Sequence, residues 1–477
     1  MFRNPICMIR PILRHLTFAT LIFILFADMA CRKKDKIDTN PDYQLWFSTD
    51  TLFFDTVFTT VGSVTQRLIV HNDNPGKVSI SSIRLAGGEA SFYGLNINGM
   101  AAPTAENVEI PGGDSIFIFV RLTIDPNNQS IPFIVSDSIL FFTNGSLQQV
   151  QLAAWGQNAR FYKNTSLKGN IVWDSLIAHV IYGSLAVDTA STLTIMPGAH
   201  VYFHLKSYLS ISKEASLMVY GTLEHPVFFL GDRLDPFYRD LPGQWDGIYL
   251  DQGSKNNQIN YAVIKNGTTG IIVDSVFVSA EPSLKIDNTI IQNMTGDGIL
   301  AFSANILSTN CVIGNCGGAA LYAYAGGSYD FRQLTVGNYW SGSVRTSPSL
   351  VLSNYSYDSL GNKKPSALNK AYFGNSIIYG TDPDEILRDS VAEVPFEYTF
   401  DHSLLRTTSA ITNPLRYIEC IANQDPRFID PQKFNFEIDS ISPAIGKGIP
   451  MGVPFDLKGN DRGATPDLGA FQYVKQR

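Results

Sequence analysis

Six octads decide how this chain folds: Ile259-Asn-Tyr-Ala-Val-Ile-Lys-Asn266, Ile286-Asp-Asn-Thr-Ile-Ile-Gln-Asn293, Ser308-Thr-Asn-Cys-Val-Ile-Gly-Asn315, Phe331-Arg-Gln-Leu-Thr-Val-Gly-Asn338, Phe373-Gly-Asn-Ser-Ile-Ile-Tyr-Gly380 and Phe400-Asp-His-Ser-Leu-Leu-Arg-Thr407. Their starts lie 27, 22, 23, 42 and 27 residues apart. The sixth position is always aliphatic (Ile264, Ile291, Ile313, Val336, Ile378, Leu405) and the fourth is small or apolar (Ala262, Thr289, Cys311, Leu334, Ser376, Ser403). Residues two apart on a strand share a face, so both columns should point into one core. The eighth position holds Asn266, Asn293, Asn315 and Asn338, then changes to Gly380 and Thr407. Asparagine accepts the left-handed backbone of a tight turn, and amides stacked turn upon turn can bond along the stack, so these four form an expected ladder.

A repeat of this length buries its apolar column only by stacking on its neighbours, which is the logic of a solenoid. Leucine-rich repeats have a similar period, but their leucine framework is absent. A right-handed, single-stranded parallel β-helix fits, with one coil per repeat. Leu193 to Phe203, Leu209 to Ser212 and Leu217 to Thr222 read as earlier coils. About ten to twelve coils fit between Ile171 and Ile438. The 42-residue spacing is either two short turns or one turn with an insertion, and Ser341 to Lys370 reads as a long coil with an excursion.

Outward from the octads, several stretches carry a resemblance. They are Leu193 to Phe203, Gly221-Thr222 with Pro226 to Phe229, and Gln244-Trp245-Asp246-Gly247-Ile248. They resemble the pectin-lyase-like β-helix proteins found among secreted lipoproteins of Bacteroidota-type bacteria. Asp425 to Phe428, Ser442 to Gly446, Asp456 to Arg462 and Asp467 to Phe471 resemble the choice-of-anchor Q segment that closes many such helices. The resemblance implies a helix over 165–440 and a closing segment over 441–477.

Ahead of the repeat, alternating runs at Leu52–Phe54, Gln66–Val70, Val78–Ile80, Ser115–Val120 and Val150–Leu152 read as strands, punctuated by Asn72 to Gly76, Gly87-Gly88 and Pro111 to Asp114. Residues 42–158 are therefore expected to form an Ig-like β-sandwich. They resemble secreted and ciliary Ig-like modules through Ile69 to Leu85 and the Trp155-Gly156 pair. His71 stands alone and reads as a turn residue. The fold class is thus all-β: a sandwich followed by a β-helix.

The N-terminus reads as an address. Arg3, Arg10 and Arg14 precede an apolar run, Leu16 to Ala27, too short to span a bilayer as a helix. Residues 1–30 are expected to be a signal peptide. Ala30-Cys31 resembles a bacterial lipobox, although Asp28 stands where an aliphatic residue is usual. That implies lipidation of Cys31, a tether over 31–41, and a cell-envelope, outer-membrane location. Arg32-Lys33-Lys34 does not resemble an acidic surface-export run, so the membrane face stays open.

The 477 residues carry 36 Lys+Arg against 43 Asp+Glu, a net charge of −7, which becomes −9 once residues 1–30 leave. Such a balance argues against nucleic-acid binding, which needs a basic patch. It also means that any polyanionic glycan must be held by a local basic patch or by calcium. The stretch Gly231 to Gln244 gathers acids, arginines and aromatics that suit sugar rings. Asp232, Arg233, Asp235, Phe237, Tyr238, Arg239 and Asp240, with neighbouring Trp245, are the candidate ligand-binding residues. Packing of these aromatics on the helix is the competing expectation.

His200 and His204 sit four apart on an expected strand, ~13 Å from each other, too far to share a metal. Asp287 and Asp401 read as isolated, solvated acids. Cys311 reads as a small core residue, and its pairing with Cys316, or that of Cys420, stays open. No catalytic set and no metal site emerges. The expected function is a non-catalytic envelope lipoprotein that binds a polysaccharide or other surface polymer, or serves structurally. One alternative is a polysaccharide lyase or glycoside hydrolase, for which Ca²⁺ would be the cofactor in the lyase case. A protein-binding adhesin or assembly factor is another.

Overall fold

The structure is a computed structural model that describes residues 36–58, 62–63, 65–124, 133–234, 237–274, 281–345 and 347–475. The expected signal peptide, Cys31 and Asp235 lie outside the described residues. Each octad proves to be one strand between corners. Its third residue (Tyr261, Asn288, Asn310, Gln333, Asn375, His402) adopts a left-handed φ between +47° and +60°. A short strand follows within two residues, Ala262–Lys265 in the first octad and Leu404–Leu405 in the last. At the eighth position Asn266, Asn293 and Asn315 are also left-handed, at φ +52° to +67°.

Stacking is in register. The sixth residues pair Cα to Cα from Ile264 to Ile291, Ile313, Val336, Ile378 and Leu405. Residues at the fourth and sixth positions are all buried. The strands of this column make face A. Beyond the eighth residue come the strands of face B, Gly247–Leu250, Ile271–Asp274, Ile299–Phe302 and Leu321–Tyr324 among them. Face C follows with Asn257–Asn260 and Leu284–Asp287 before the next octad corner. The three faces wind into one 26-stranded parallel sheet.

At the first octad position the later coils carry a ring ladder. Phe331, Phe373, Phe400 and then Tyr417 stack with centroids 5.7, 5.2 and 5.6 Å apart. Burying each such ring stabilises by about 1.5–3 kcal/mol. The 42-residue spacing resolves as one coil with two insertions. Leu350–Ser353 continues face B and Leu368–Gly374 continues face C. The insertion at 339–349 is held by Arg345, whose guanidinium meets the fully buried Glu385 at 2.8 Å. The second insertion contains the hairpin Tyr355–Tyr357 with Lys363–Pro365.

The long sheet runs from Ala159 to Ala422. Residues 423–440, which the sequence assigns to the helix, instead contain the strands Phe428–Asp430 and Asn435–Ile438, which pair with each other. From there the chain folds back over the outside of face A. Phe436 lies on Gly314 and Gly337, where an added Cβ would stand 2.5 and 2.3 Å from its ring. Leu457 and Ala470 pack with Val312, and Ile438, Ala444 and Leu468 pack with Ile377, Tyr379 and Leu404. The closing segment therefore covers a flank of the solenoid, because the glycines at the seventh octad position leave room there.

An amide ladder runs under this segment beside the third-position corner, starting from Asn260 at the second position of the first octad. Asn288 donates to Asn260 at 2.9 Å, Asn310 to Asn288 at 2.8 Å, and Arg462 caps the run by donating to Asn310 at 2.7 Å.

The N-terminal unit is a sandwich of two five-stranded antiparallel sheets. One contains Gln66–His71 and Ser115–Leu122, the other Val78–Leu85 and Ser146–Gln157. Ile116, Ile118, Val120 and Leu122 alternate into its core. Asn72, fully buried, ties the expected turn by donating to Gly76 O, Ile110 O and Pro111 O. His71 ends a strand rather than standing alone in a turn, and its Nδ1 meets Asp73 at 2.6 Å.

Candidate functional site

The stretch 231–244 leaves face A after the strand Val227–Gly231. Asp232 turns back against the coil, where its carboxylate meets His204 Nδ1 at 2.8 Å. The His204 ring stacks on Tyr182 at 4.4 Å. Burial raises the Asp232 carboxyl above the usual range, against the pull of His204, Tyr182 and Arg233. Burial, with the neighbouring Asp232 charge, pushes the Tyr182 phenol up to about 12.

Farther out, the Arg233 guanidinium covers the Tyr238 ring at 3.8 Å, and Phe237 meets Tyr238 edge-on while remaining 74% exposed. Trp245 has a different place from its expected one. It is fully buried, stacks on Phe203 at 4.1 Å and spends its indole N–H on Lys265 O, so it is a core ring with no face left for a ligand.

The asparagine column explains how this loop is held. Asn266 donates to Arg239 O at 2.8 Å, and Asn293 donates both to Asp240 O at 2.9 Å and to Asn266 Oδ1 at 2.8 Å. Asn315 turns to the closing segment, donating to Pro431 O and accepting from the Tyr339 N–H. Asn338 accepts from the Cys316 N–H at 2.9 Å. Amide-to-amide bonding thus links Asn293 to Asn266, while the remaining amides bind backbone. The column pins two excursions to one flank of the helix.

Between those excursions lies a cleft of about 780 Å³. Lys265, Ile290 and Gln292 floor it. Arg239 and Asp240 form one wall, Tyr339 and Trp340 another, and Lys433 and Phe434 a third. Trp340 lies against Gly317 and Gly342 and donates its indole N–H to Ser343 Oγ at 3.1 Å. Lys265 pairs with Asp240 at 2.5 Å and reaches over the Phe434 ring at 5.7 Å. Arg239 and Lys433 are exposed, the latter meeting Asp430 at 3.1 Å. Asp240 is the one carboxylate among the cleft's described lining residues, and Lys265 already neutralises it. Such a hollow, with rings on its walls and a few convergent polar groups, has the size and chemistry of a small-ligand site.

The remaining candidates go elsewhere. His200 bonds Gly198 O and stacks on Phe228, while His204, just past the strand, faces Asp232. Asp287 and Asp401 are engaged rather than solvated. Asp287 accepts from the Thr309 hydroxyl and Asp401 from Tyr372 and His402, because each lies beside a donor on a neighbouring strand or corner. Cys311, Cys316 and Cys420 are free thiols. Burial pushes Cys311 up to about 12, so it stays protonated. Tyr339, Trp340 and Phe434 escaped the sequence reading. Their one signal was the Tyr-Trp pair directly after Asn338.

A family model described as "Right handed beta helix region" matches residues 238–336. No curated protein matches the chain. Among solved structures, the catalytic unit of a thermostable GH87 α-1,3-glucanase from Streptomyces thermodiastaticus strain HF3-3 is 9% identical. The match covers 75% of this chain and 89% of that one, with a TM-score of 0.27. An ASH/PapD-like domain of human CEP192 is 9% identical, with a TM-score of 0.19, and the match covers 27% of this chain and 94% of that domain. A Porphyromonas gingivalis W83 protein of unknown function is 11% identical, with 26% and 60% covered and a TM-score of 0.17. Likenesses this remote carry no argument about activity.

Proposed function

We propose that the protein is a lipid-anchored cell-envelope protein whose β-helix holds a glycan or similar surface polymer, without turning it over, in the cleft beside the 231–244 loop. The observation that carries this reading is the wall chemistry: Tyr339, Trp340 and Phe434 around a cleft whose one carboxylate among the described lining residues, Asp240, is paired with Lys265. Hydrolysis needs two carboxylates flanking the scissile bond, and a calcium-dependent lyase needs carboxylates for the ion as well as a base. With Lys265 paired to Asp240 and Lys433 to Asp430, the exposed Arg239 leaves the cleft the local positive charge that an acidic sugar requires in so acidic a chain.

Titration of the purified mature protein with acidic oligosaccharides, followed by calorimetry, tests the reading. Trp340→Ala is expected to weaken binding about tenfold, roughly 1.4 kcal/mol. Arg239→Gln is expected to weaken acidic ligands about 3–10-fold and spare neutral ones. Absence of binding across a glycan panel would sink the proposal, and new reducing ends or unsaturated products would replace it with an enzymatic one. The anchor has its own test. Metabolic labelling with a fatty acid should mark the wild-type protein and leave Cys31→Ser unlabelled; equal label in both overturns the lipid assignment.

A further inference from the structure

Face B shows a second arrangement that the cleft does not use. Tyr249, Ile272, Leu300 and Tyr322 follow one another in register along the solenoid. Phe302 and Tyr324 form a parallel column beside them, their rings 5.5 Å apart, and Tyr322 meets Tyr324 edge-on at 5.9 Å. All six are outward-pointing and half-buried. The hairpin of the second insertion ends the strip, where the Tyr357 N–H donates to the Tyr324 hydroxyl at 3.1 Å.

On the four strands of this strip, charge has one sign. Asp274 stands directly beside Phe302 in the second column. Asp251, one coil earlier, accepts from the Ser210 hydroxyl at 2.8 Å. The strands Gly247–Leu250, Ile271–Asp274, Ile299–Phe302 and Leu321–Tyr324 contain no lysine or arginine. The cations lie at the far end, on the hairpin, where Lys363 pairs with Tyr357 and covers the Tyr355 ring at 3.9 Å; along the strands themselves a polyanion would meet carboxylates alone.

Size decides between a macromolecular partner and a single chain. Neighbouring coils lie ~4.8 Å apart and side chains two apart on a strand ~7 Å, so the strip is roughly 7 Å wide and 15–20 Å long. Its face is on the order of 100 Å², against about 800 Å² per partner in a stable protein interface. A sugar chain laid along the axis fits: pyranose faces rest on the rings and aliphatic side chains, and their hydroxyls reach the tyrosine hydroxyls and aspartates at the edges.

We infer that face B is a separate track for a neutral polysaccharide, running along the coils from Tyr249 to the hairpin at Tyr357. The inference is independent of the cleft. Native electrophoresis of the full-length mature protein through gels containing dextran, hydroxyethyl-cellulose or polygalacturonate tests it. Retardation by at least one of the two neutral polymers is expected. Tyr249→Ala or Tyr322→Ala should weaken it about 5–10-fold, and Tyr322→Phe, which keeps the ring, should stay within about twofold. These variants are compared in a Trp340→Ala background, which weakens the cleft, and retardation through the track should persist in that background. Failure of both neutral polymers to retard overturns the track, as does retardation by polygalacturonate alone. So does retardation that, in the Trp340→Ala background, survives Tyr249→Ala/Tyr322→Ala with an unaltered melting curve, or that is lost in Trp340→Ala alone.

Discussion

Phe373→Ala is expected to remove about 3–5 kcal/mol of stability. Phe373 is fully buried, and its ring lies between Phe331 and Phe400, nearly parallel to both at 15° and 17°. Neither neighbour can close the space, because each is fixed by the parallel register that pairs Phe331 with Phe373 and Phe373 with Phe400. In a solenoid stability is nearly a sum of coil and nearest-neighbour terms, so the damage should be local. Urea unfolding is therefore expected to split, the coils after residue 373 melting earlier than those before it. Phe373→Leu should cost much less, since it refills most of the volume. A loss below ~1 kcal/mol for the alanine would show that the ring ladder is not what couples these coils.

Arg462→Leu should detach the closing segment from face A, at a cost of about 3–5 kcal/mol to that segment's closure. The Arg462 side chain is almost wholly buried and donates to Asn310 Oδ1, Gly469 O and, at longer range, Phe455 O and Asp467 O. Burial works against its charge and pushes its pKa down to about 10, which still leaves it protonated at neutral pH. Leucine would keep much of the volume while leaving those acceptors dry and unpaired. Hydrogen exchange should then rise across 441–473 while the strands of faces B and C stay protected. Because Gln432, Lys433 and Phe434 border the cleft, weaker cleft binding should accompany the change. Unaltered exchange in the closing segment would mean that Phe436 and its apolar neighbours suffice to hold it.

Some of this was legible because inward positions have no freedom. Ile264, Ile291, Ile313, Val336, Ile378 and Leu405 must each fill the same slot in successive coils, so burial writes a column into the chain that spacing alone reveals. Turn chemistry was half legible. The asparagines at the eighth position announced one corner, whereas the left-handed corner at the third was obscured by Tyr261, Gln333 and His402 standing among its asparagines. Trp245 was misplaced for the same reason: an aromatic beside a polar loop looks the same in sequence whether it faces solvent or Phe203.

What the chain determined by itself was thus the winding, since stacking repeats is the only way these short apolar columns leave water. Where the chain's flanks became sites was decided in three dimensions. Arg239, Trp340 and Phe434 come from distant stretches and meet only because Asn266, Asn293 and Asn315 fasten two excursions to one flank. Tyr249, Ile272, Leu300 and Tyr322 align only once the coils are in register. Outward positions carry no packing demand, so no period marks them in sequence, and it is the register of the inward ones that brings them into line.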